Sequence, residues 1–412
     1  MVSNLVIEQI KKLFLEKKYE EVIKTSDSFF KSGEIPPFIL NLLGLSCLLL
    51  KNKNDKNILS ALSYFEKSHM QAKEKTEGLD GLINLIRACI LNFNNPNINQ
   101  EILSFLSKAK KLYIKAEKYY EKNENFLIFG SDLFKYLLDH KKQKEILEKL
   151  INLNTKSKVI RSRYLFDKNY NYEWSQKKHC EEAIKNSKFV PKFDVKKIIR
   201  DDLGKDKIKI GIVSSDLRSS HPLTFFVKPT FDNLDKKTFI THAFSFAKRD
   251  PQDVSQNDLI TCFDHWHDLQ MYENQKAIDY IQNQNIDILI DSMGFTSASR
   301  IEIFNSRVSK IQISWLAYCN TLGFDTVDYL LADENLIYKD EEQYYSEKIL
   351  KFPRIWNSHS GFKFDRNYNL SPVNVNKFIT FGSFGNFRKI SDDTIEVWSK
   401  ILNNVRGSKL IL

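Results

Sequence analysis

The sequence predicts two architectures in series within its 412 residues. An all-helical arm comes first, then a doubly wound α/β lobe from residue 207 onward, then the start of a second α/β lobe. Three observations predict this. Up to about residue 155, apolar residues recur at three- and four-residue spacing in runs separated by polar turns, which is the periodicity of amphipathic helices. At Lys207 the pattern changes to short apolar runs such as Lys207-Ile-Lys-Ile-Gly-Ile-Val213, typical of strands packed on both faces. Helical segments separate several of these runs, and strand–helix alternation builds a mostly parallel sheet.

Within the arm (1–155), Ile10, Leu13 and Phe14 line one helical face. A second helix starts at Tyr19-Glu20-Glu21, carries Val22, Ile23, Phe29 and Phe30, and ends at Gly33 and Pro36-Pro37. Leu42, Leu45 and Leu49, then Leu59, Leu62 and Phe65, make a second pair. Further helical runs lie at 82–93, 102–113, 126–138 and 145–153. Residues 156–206, with Arg161, Arg163, Tyr164 and Trp174, read as a helical connector. Strands are predicted near 207–213, 239–246, 286–290, 311–315, 329–332 and 348–352 in a lobe spanning 207–370. A further unit at 371–412 has a strand at Phe378–Phe381, a helix with Ile395, Trp398, Ile401, Leu402 and Val405 on one face, and a strand at Lys409–Leu412. A unit this small buries no core alone, so either it packs on the preceding lobe or the natural chain continues.

Hydrophobic residues make up 42% of the chain, which excludes a disordered chain. The net charge of +10 is carried largely by lysines scattered along helices, as at Lys141-Lys142-Gln143-Lys144; no arginine cluster is interleaved with aromatics, which disfavours nucleic acid as a partner. Cys47, Cys89, Cys180, Cys262 and Cys319 are far apart and contain no Cys-x-x-Cys pair, so neither a disulfide framework nor a cysteine zinc site is predicted. The longest apolar stretch, Phe38 to Leu50, is too short to span a bilayer, and no signal-peptide layout opens the chain. A cytoplasmic protein that engages no membrane is the expectation.

Two helices in the arm, Tyr19-Glu-Glu-Val-Ile23 and Ala61-Leu-Ser-Tyr-Phe65, are similar to the second helix of tetratricopeptide repeats. Their spacing is longer than a strict repeat, so the arm reads as degenerate, with an irregular helical bundle as the alternative. From residue 207 onward six segments match a known family together and in order: Ile210-Gly-Ile-Val-Ser-Ser215-Asp216 with His221; Asp264-His265-Trp-His267-Asp268-Leu269; Gly294-Phe-Thr296 through Arg300 to Ile311-Gln312; Trp315 through Asn320-Thr321-Leu-Gly323 to Asp328-Tyr329 and Asp333; Tyr345-Ser-Glu-Lys348; and Phe381-Gly-Ser-Phe384-Gly-Asn386-Phe-Arg-Lys389-Ile390. On these motifs the chain resembles the protein O-GlcNAc transferase/SPINDLY family, whose members also carry a helical arm.

That resemblance implies a GT-B arrangement of two Rossmann-like lobes with a nucleotide-sugar between them. It also implies inverting, metal-independent transfer of one sugar to Ser or Thr hydroxyls of proteins held by the arm. His221 and His265 match the family's active-site histidines. Lys389 matches the lysine that neutralises the leaving diphosphate, and Asn386 lies in the same loop. Ser215, Asp216, Gly294, Thr296, Asn320, Thr321 and Gly323 fall in the active-site loops. Cys319-Asn320-Thr321 and Phe381-Gly-Ser-Phe384 are closer to the SPINDLY branch, so the co-substrate is UDP-GlcNAc or GDP-fucose.

The residues give reasons of their own. Attack by a hydroxyl needs a proton acceptor or relay and charge stabilisation on the leaving phosphate. His221 follows a strand-to-helix turn, where doubly wound folds place ligand contacts, so it is expected to share one edge of the sheet with His265. The structural alternative for His221 is a helix-start histidine bonded to local backbone. His265 and His267 share a strand face and could form a metal pair, but no third ligand stands at suitable spacing. Asp392 and Asp393 would oppose an anion at the following helix start, so Lys389 is expected to act from its loop. Two other functions stay open: an inactive protein-binding scaffold, and a transferase acting on small molecules or a surface polymer. The 412-residue chain as given, whose second lobe lacks further nucleotide contacts, is expected to be inactive as a transferase on its own.

Overall fold

A computed structural model describes residues 4–29, 35–52, 54–93, 100–170, 174–198, 207–218, 221–359, 361 and 370–412. The predicted helix-end residues Phe30 and Gly33 lie outside them. The chain divides into two compact units, Met1–Thr155 and Lys156–Leu412.

The first unit is helical throughout its described residues. Its helices are α1 (Asn4–Leu15), α2 (Tyr19–Phe29), α3 (Pro37–Leu49), α4 (Asp55–Gln71), α5 (Thr76–Phe93), α6 (Gln100–Tyr120), α7 (Glu124–Tyr136) and α8 (His140–Asn152). Short polar side chains start several of them. Asn54 and Asn57 form a reciprocal capping box at α4, and Asn123 and Asp139 cap α7 and α8 by accepting from Phe126 N–H and Lys142 N–H. Apolar faces then close on one another. Val6, Ile10, Val22, Ile39 and Leu43 join α1, α2 and α3, and the Tyr113 ring of α6 stacks on Phe126 of α7 at 4.1 Å. Lengths run from 11 residues in α2 to 21 in α6, so the pairs are unequal.

In the second unit, α9 (Lys158–Lys168) and α10 (Gln176–Ser187) precede a seven-stranded, wholly parallel sheet. Its elements follow as β1 (Ile208–Ser214), α11 (Thr224–Asp232), β2 (Phe239–Ser245), α12 (Val254–Ile260), β3 (His265–Asp268), α13 (Asn274–Asn283), β4 (Ile288–Asp291), α14 (Ile301–Asn305), β5 (Ile311–Ser314), β6 (Tyr329–Ala332) and β7 (Lys348–Lys351). The spatial order is β3-β2-β1-β4-β5-β6-β7. The winding direction therefore reverses between β1 and β4, which is the switch point at which open α/β sheets bind ligands.

Register puts Gly211, His242, His265 and Leu289 in one row, and Ile212, Ala243, Trp266 and Ile290 in the next row, on the other face. The first face packs on Ala277, Ile278 and Ile281 of α13 with Ile301 and Phe304 of α14. The second packs on Leu223, Val227 and Phe231 around α11 with Leu259 of α12. Both faces are covered, as the run of apolar strands predicts.

A separate pair of parallel strands, β8 (Thr380–Gly382) and β9 (Lys409–Ile411), follows α15 (Pro372–Asn376) and flanks α16 (Asp392–Asn404). None of these four elements contains a buried residue, and Ile395, Val397 and Ile401 of α16 are exposed. All five cysteines are free. Among the described residues, no helix is long and apolar enough to cross a membrane.

Candidate active site

The loops after β1 and β4 are tied together at the switch point. Ser214 at the end of β1 donates to Met293 Sδ at 3.1 Å, Ser215 Oγ donates to the Ala298 carbonyl at 2.8 Å, and Ser292 Oγ donates to the Val213 carbonyl at 3.1 Å. Asp291, the last residue of β4, is fully buried and accepts from the N–H groups of Met293 (3.0 Å) and Gly294 (2.9 Å). Burial pushes its carboxyl up to about 6 against the pull of those two donors. Gly294 has a φ of +54°, and a Cβ there would strike the Tyr318 side chain, so the turn requires glycine. Thr296 closes the turn with its N–H on the Met293 carbonyl at 3.2 Å.

His221 stands on the β1 side of the switch point, at the entry to α11. The Leu223 N–H donates to its Nδ1 at 3.3 Å, and the Thr224 N–H and hydroxyl bond its carbonyl at 3.0 and 2.8 Å. With Nδ1 accepting, the neutral ring carries its proton on Nε2, which faces Asp216 Oδ1 at 3.5 Å. Arg218 reaches the same carboxylate oxygen at 3.5 Å. Partial burial lowers the His221 pKa; Asp216 opposes that shift and Arg218 adds to it. Ser215, Asp216, His221, Gly294 and Thr296 therefore fall on the two adjoining loops of the switch point.

His265 does not join them. It opens β3, level with His242 in the middle of β2, so it sits short of the carboxyl edge. It also lies on the face covered by α13, whereas α11, which His221 enters, covers the other. The expectation that the two histidines share one edge is not met, because strand register rather than strand order decides the level. His265 instead belongs to a row of rings. Its centroid is 4.5 Å from that of His242, whose Nδ1 meets His267 Nε2 at 3.1 Å, while His267 Nδ1 meets Tyr280 OH at 3.0 Å. His267 thus has both ring nitrogens engaged, and among the described residues no group of three or more His, Cys, Asp or Glu side chains is arranged to hold a metal ion.

The 320–323 loop is held by the fold. Thr321 Oγ1 donates to the buried Glu347 carboxylate at 2.6 Å and accepts from the N–H groups of Gly323 and Ser346, both at 3.1 Å. Leu322 N–H bonds the other Glu347 oxygen at 2.7 Å. Burial raises the Glu347 pKa, and these donors oppose the rise. Asn320 bonds Gln176 and Asn169, and Gly323, at φ +71°, lies against the backbone of Ala183 and Ile184. Asn386 and Lys389 are exposed on the turn between β8 and α16, and Ser391 caps that helix.

Sequence reasoning passed over Asp291, Glu347 and His242 as functional or supporting groups. Asp291 had a signal: a carboxylate closing an apolar strand one residue ahead of Ser-Met-Gly. Glu347 lay inside a quoted motif without a role. His242 had no signal, since its partners come from a different strand.

Comparison with known proteins agrees with the motifs. Residues 164–359 match the family described as Glycosyl transferase family 41. The probable UDP-N-acetylglucosamine–peptide N-acetylglucosaminyltransferase SPINDLY of Oryza sativa subsp. japonica is 28% identical over 205 residues, covering 49% of this chain and 22% of that protein. The corresponding SEC protein of Arabidopsis thaliana is 26% identical over 219 residues, covering 51% and 22%. The chain matches only about a fifth of the length of these relatives. A solved O-GlcNAc transferase mutant from Thermobaculum terrenum superposes with a TM-score of 0.65 at 19% identity, over 87% of this chain and 69% of that one, which shows a shared fold. The chain is thus similar to protein O-GlcNAc transferases and SPINDLY proteins, and the match to the family 41 model lies in residues 164–359.

Proposed function

We propose that this chain carries the helical arm and the acceptor-side lobe of a cytoplasmic protein O-glycosyltransferase. It transfers one sugar, N-acetylglucosamine or fucose, from UDP-GlcNAc or GDP-fucose to Ser or Thr hydroxyls by inverting displacement, without a metal. The observation that carries this reading is the His221–Asp216 pair at the switch point, within the stretch matched to family 41.

In the reaction the acceptor oxygen bonds to the anomeric carbon while the bond from that carbon to the diphosphate breaks. The diphosphate leaves with the electron pair, and the hydroxyl loses its proton. Neutral His221 already carries a proton on Nε2, so in this geometry it orients and donates. Asp216 is the proton acceptor beside it. Lys389 and Asn386 would meet the diphosphate from the second lobe, where a lysine charge compensates the leaving group. The arm would hold protein acceptors, since stacked helix pairs offer an extended binding surface.

The test is to incubate the complete protein with a cell lysate and, separately, radiolabelled UDP-GlcNAc and GDP-fucose. Label released from protein as a Ser- or Thr-linked sugar with one donor supports the reading and names the donor. No label with either donor overturns it and favours a protein-binding scaffold.

A further inference from the structure

The segment after β7 runs back over the carboxyl ends of the strands. Phe352 N–H bonds the Ala332 carbonyl, at the end of β6, at 2.8 Å. Trp356 is held at both backbone groups: its N–H donates to Asp333 Oδ2 at 2.9 Å, and its carbonyl accepts from Trp315 Nε1 at 2.9 Å. Its side chain packs against the core cluster that contains Leu223, Val227 and Trp315. Three residues on, His359 stacks on Phe225 at 5.3 Å and 15°, and meets Phe226 edge-on at 5.0 Å.

β7 and β1 are four strand spacings apart in the sheet order, about 19 Å at roughly 4.8 Å each. Eight residues reach about 28 Å when fully extended, so the segment is long enough to cross with about 9 Å to spare. Phe225 and Phe226 belong to the first turn of α11, immediately after the residues that hold His221. Leu223 N–H fixes the His221 ring through Nδ1, and Thr224 fixes its carbonyl. Moving that turn moves the ring.

We propose that residues 352–359 are a strap that seats the first turn of α11 and so sets the His221–Asp216 pair, with His359 as a positioning residue. The proposal rests on reading that pair as the reacting one. The charged groups facing His221 from its own loop are Asp216 and Arg218; the strap contributes His359 through α11.

The test uses the 412-residue chain labelled at histidine Cε1, whose eight histidines give few resonances, with His221 identified through His221→Gln. His359→Asn removes the ring but keeps a side-chain acceptor for the Gly361 N–H, which His359 Nδ1 holds at 2.8 Å. His359→Phe keeps a flat ring against Phe225 and Phe226. The expected result is that His221 titrates at higher pH in His359→Asn, moving toward the ordinary 6.5, and as in wild type in His359→Phe. His242, on the opposite face, titrates unchanged in both and reports that the lobe is folded. Identical His221 titration in all three proteins overturns the strap, as does failure of phenylalanine to restore it. Sugar transfer by the complete protein is measured separately. A lower kcat in His359→Asn with donor KM unchanged, restored in His359→Phe, supports the positioning role. A shifted His221 titration in a protein that transfers no sugar as wild type leaves the strap standing and removes the proposed reaction.

Discussion

Acid is expected to loosen the β2–β3 edge of the sheet, and one buried ring sets the size of the effect. His242 is 4% exposed, and its Nε2 is buried without a hydrogen-bond partner among the described residues. A second proton would charge a ring that cannot be solvated. Burial comes first among the causes that hold its pKa down to about 4; His265 and His267 on β3 and Lys209 on β1 add to the effect, and Asp264 opposes it. Tyr280 of α13 completes the neighbourhood through His267, whose pKa is also lowered, chiefly by burial. The folded pKa lies below the unfolded one, so this stabilisation is complete above 6.5, is lost as pH falls toward 4, and changes no further below that. The gap from 6.5 to about 4, at about 1.4 kcal/mol per pH unit, is about 3 kcal/mol, of which about 2 kcal/mol is gone by pH 5. Native-state hydrogen exchange of peptides covering 239–245 and 265–268, compared at pH 7.5 and pH 5, measures it where it acts. His242→Gln keeps a polar partner for His267 but does not titrate, so its opening free energy should change far less between the two conditions. Equal losses in wild type and His242→Gln would refute the reasoning, because the acid sensitivity would then come from elsewhere.

Other outcomes follow from the site. His221→Ala in the complete protein should lower turnover by on the order of a hundredfold. It should change stability by about 1 kcal/mol or less, since the ring is only half buried; steady-state kinetics beside a denaturation curve check both, and an unchanged rate removes His221 from the mechanism. Thr321→Val takes the hydroxyl donor from a buried carboxylate, so unfolding free energy should fall by about 1–3 kcal/mol, and Glu347→Gln in the same background should recover part of it. Deleting residues 1–155 should spare hydrolysis of the nucleotide-sugar while weakening modification of folded proteins. Equal loss of both would mean that the arm is needed to fold the lobe.

What was legible in the sequence is what local chemistry decides. Strand positions near 207–213, 239–246, 311–315 and 329–332 could be read because parallel strands buried on both faces leave continuous apolar runs, and β1, β2, β5 and β6 lie there within a residue or two. The strand at His265–Asp268 was harder to see: it is an edge strand of four residues, three of them polar, and its hydrophobic support comes from Phe244 beside it and α13 above it. The grouping of Ser215, Asp216 and His221 was readable, since seven consecutive residues of one loop cannot separate far. The meeting of that loop with Gly294 and Thr296 depends on β4 pairing with β1, a contact made across about eighty residues of chain. Sequence separation also hid the setting of Asn320 and Thr321, whose partners lie 144 and 151 residues away for Asn320 and 26 for Thr321. Motif order predicts them as active-site loop residues, and the structure spends their polar atoms on Glu347, Gln176 and Asn169. A motif therefore picks out residues without separating those that would touch a ligand from those that hold the loop. In this lobe burial supplies the contrast on which the proposed site rests: Thr321 is fully buried with its hydroxyl taken, while His221 is half-exposed beside a carboxylate.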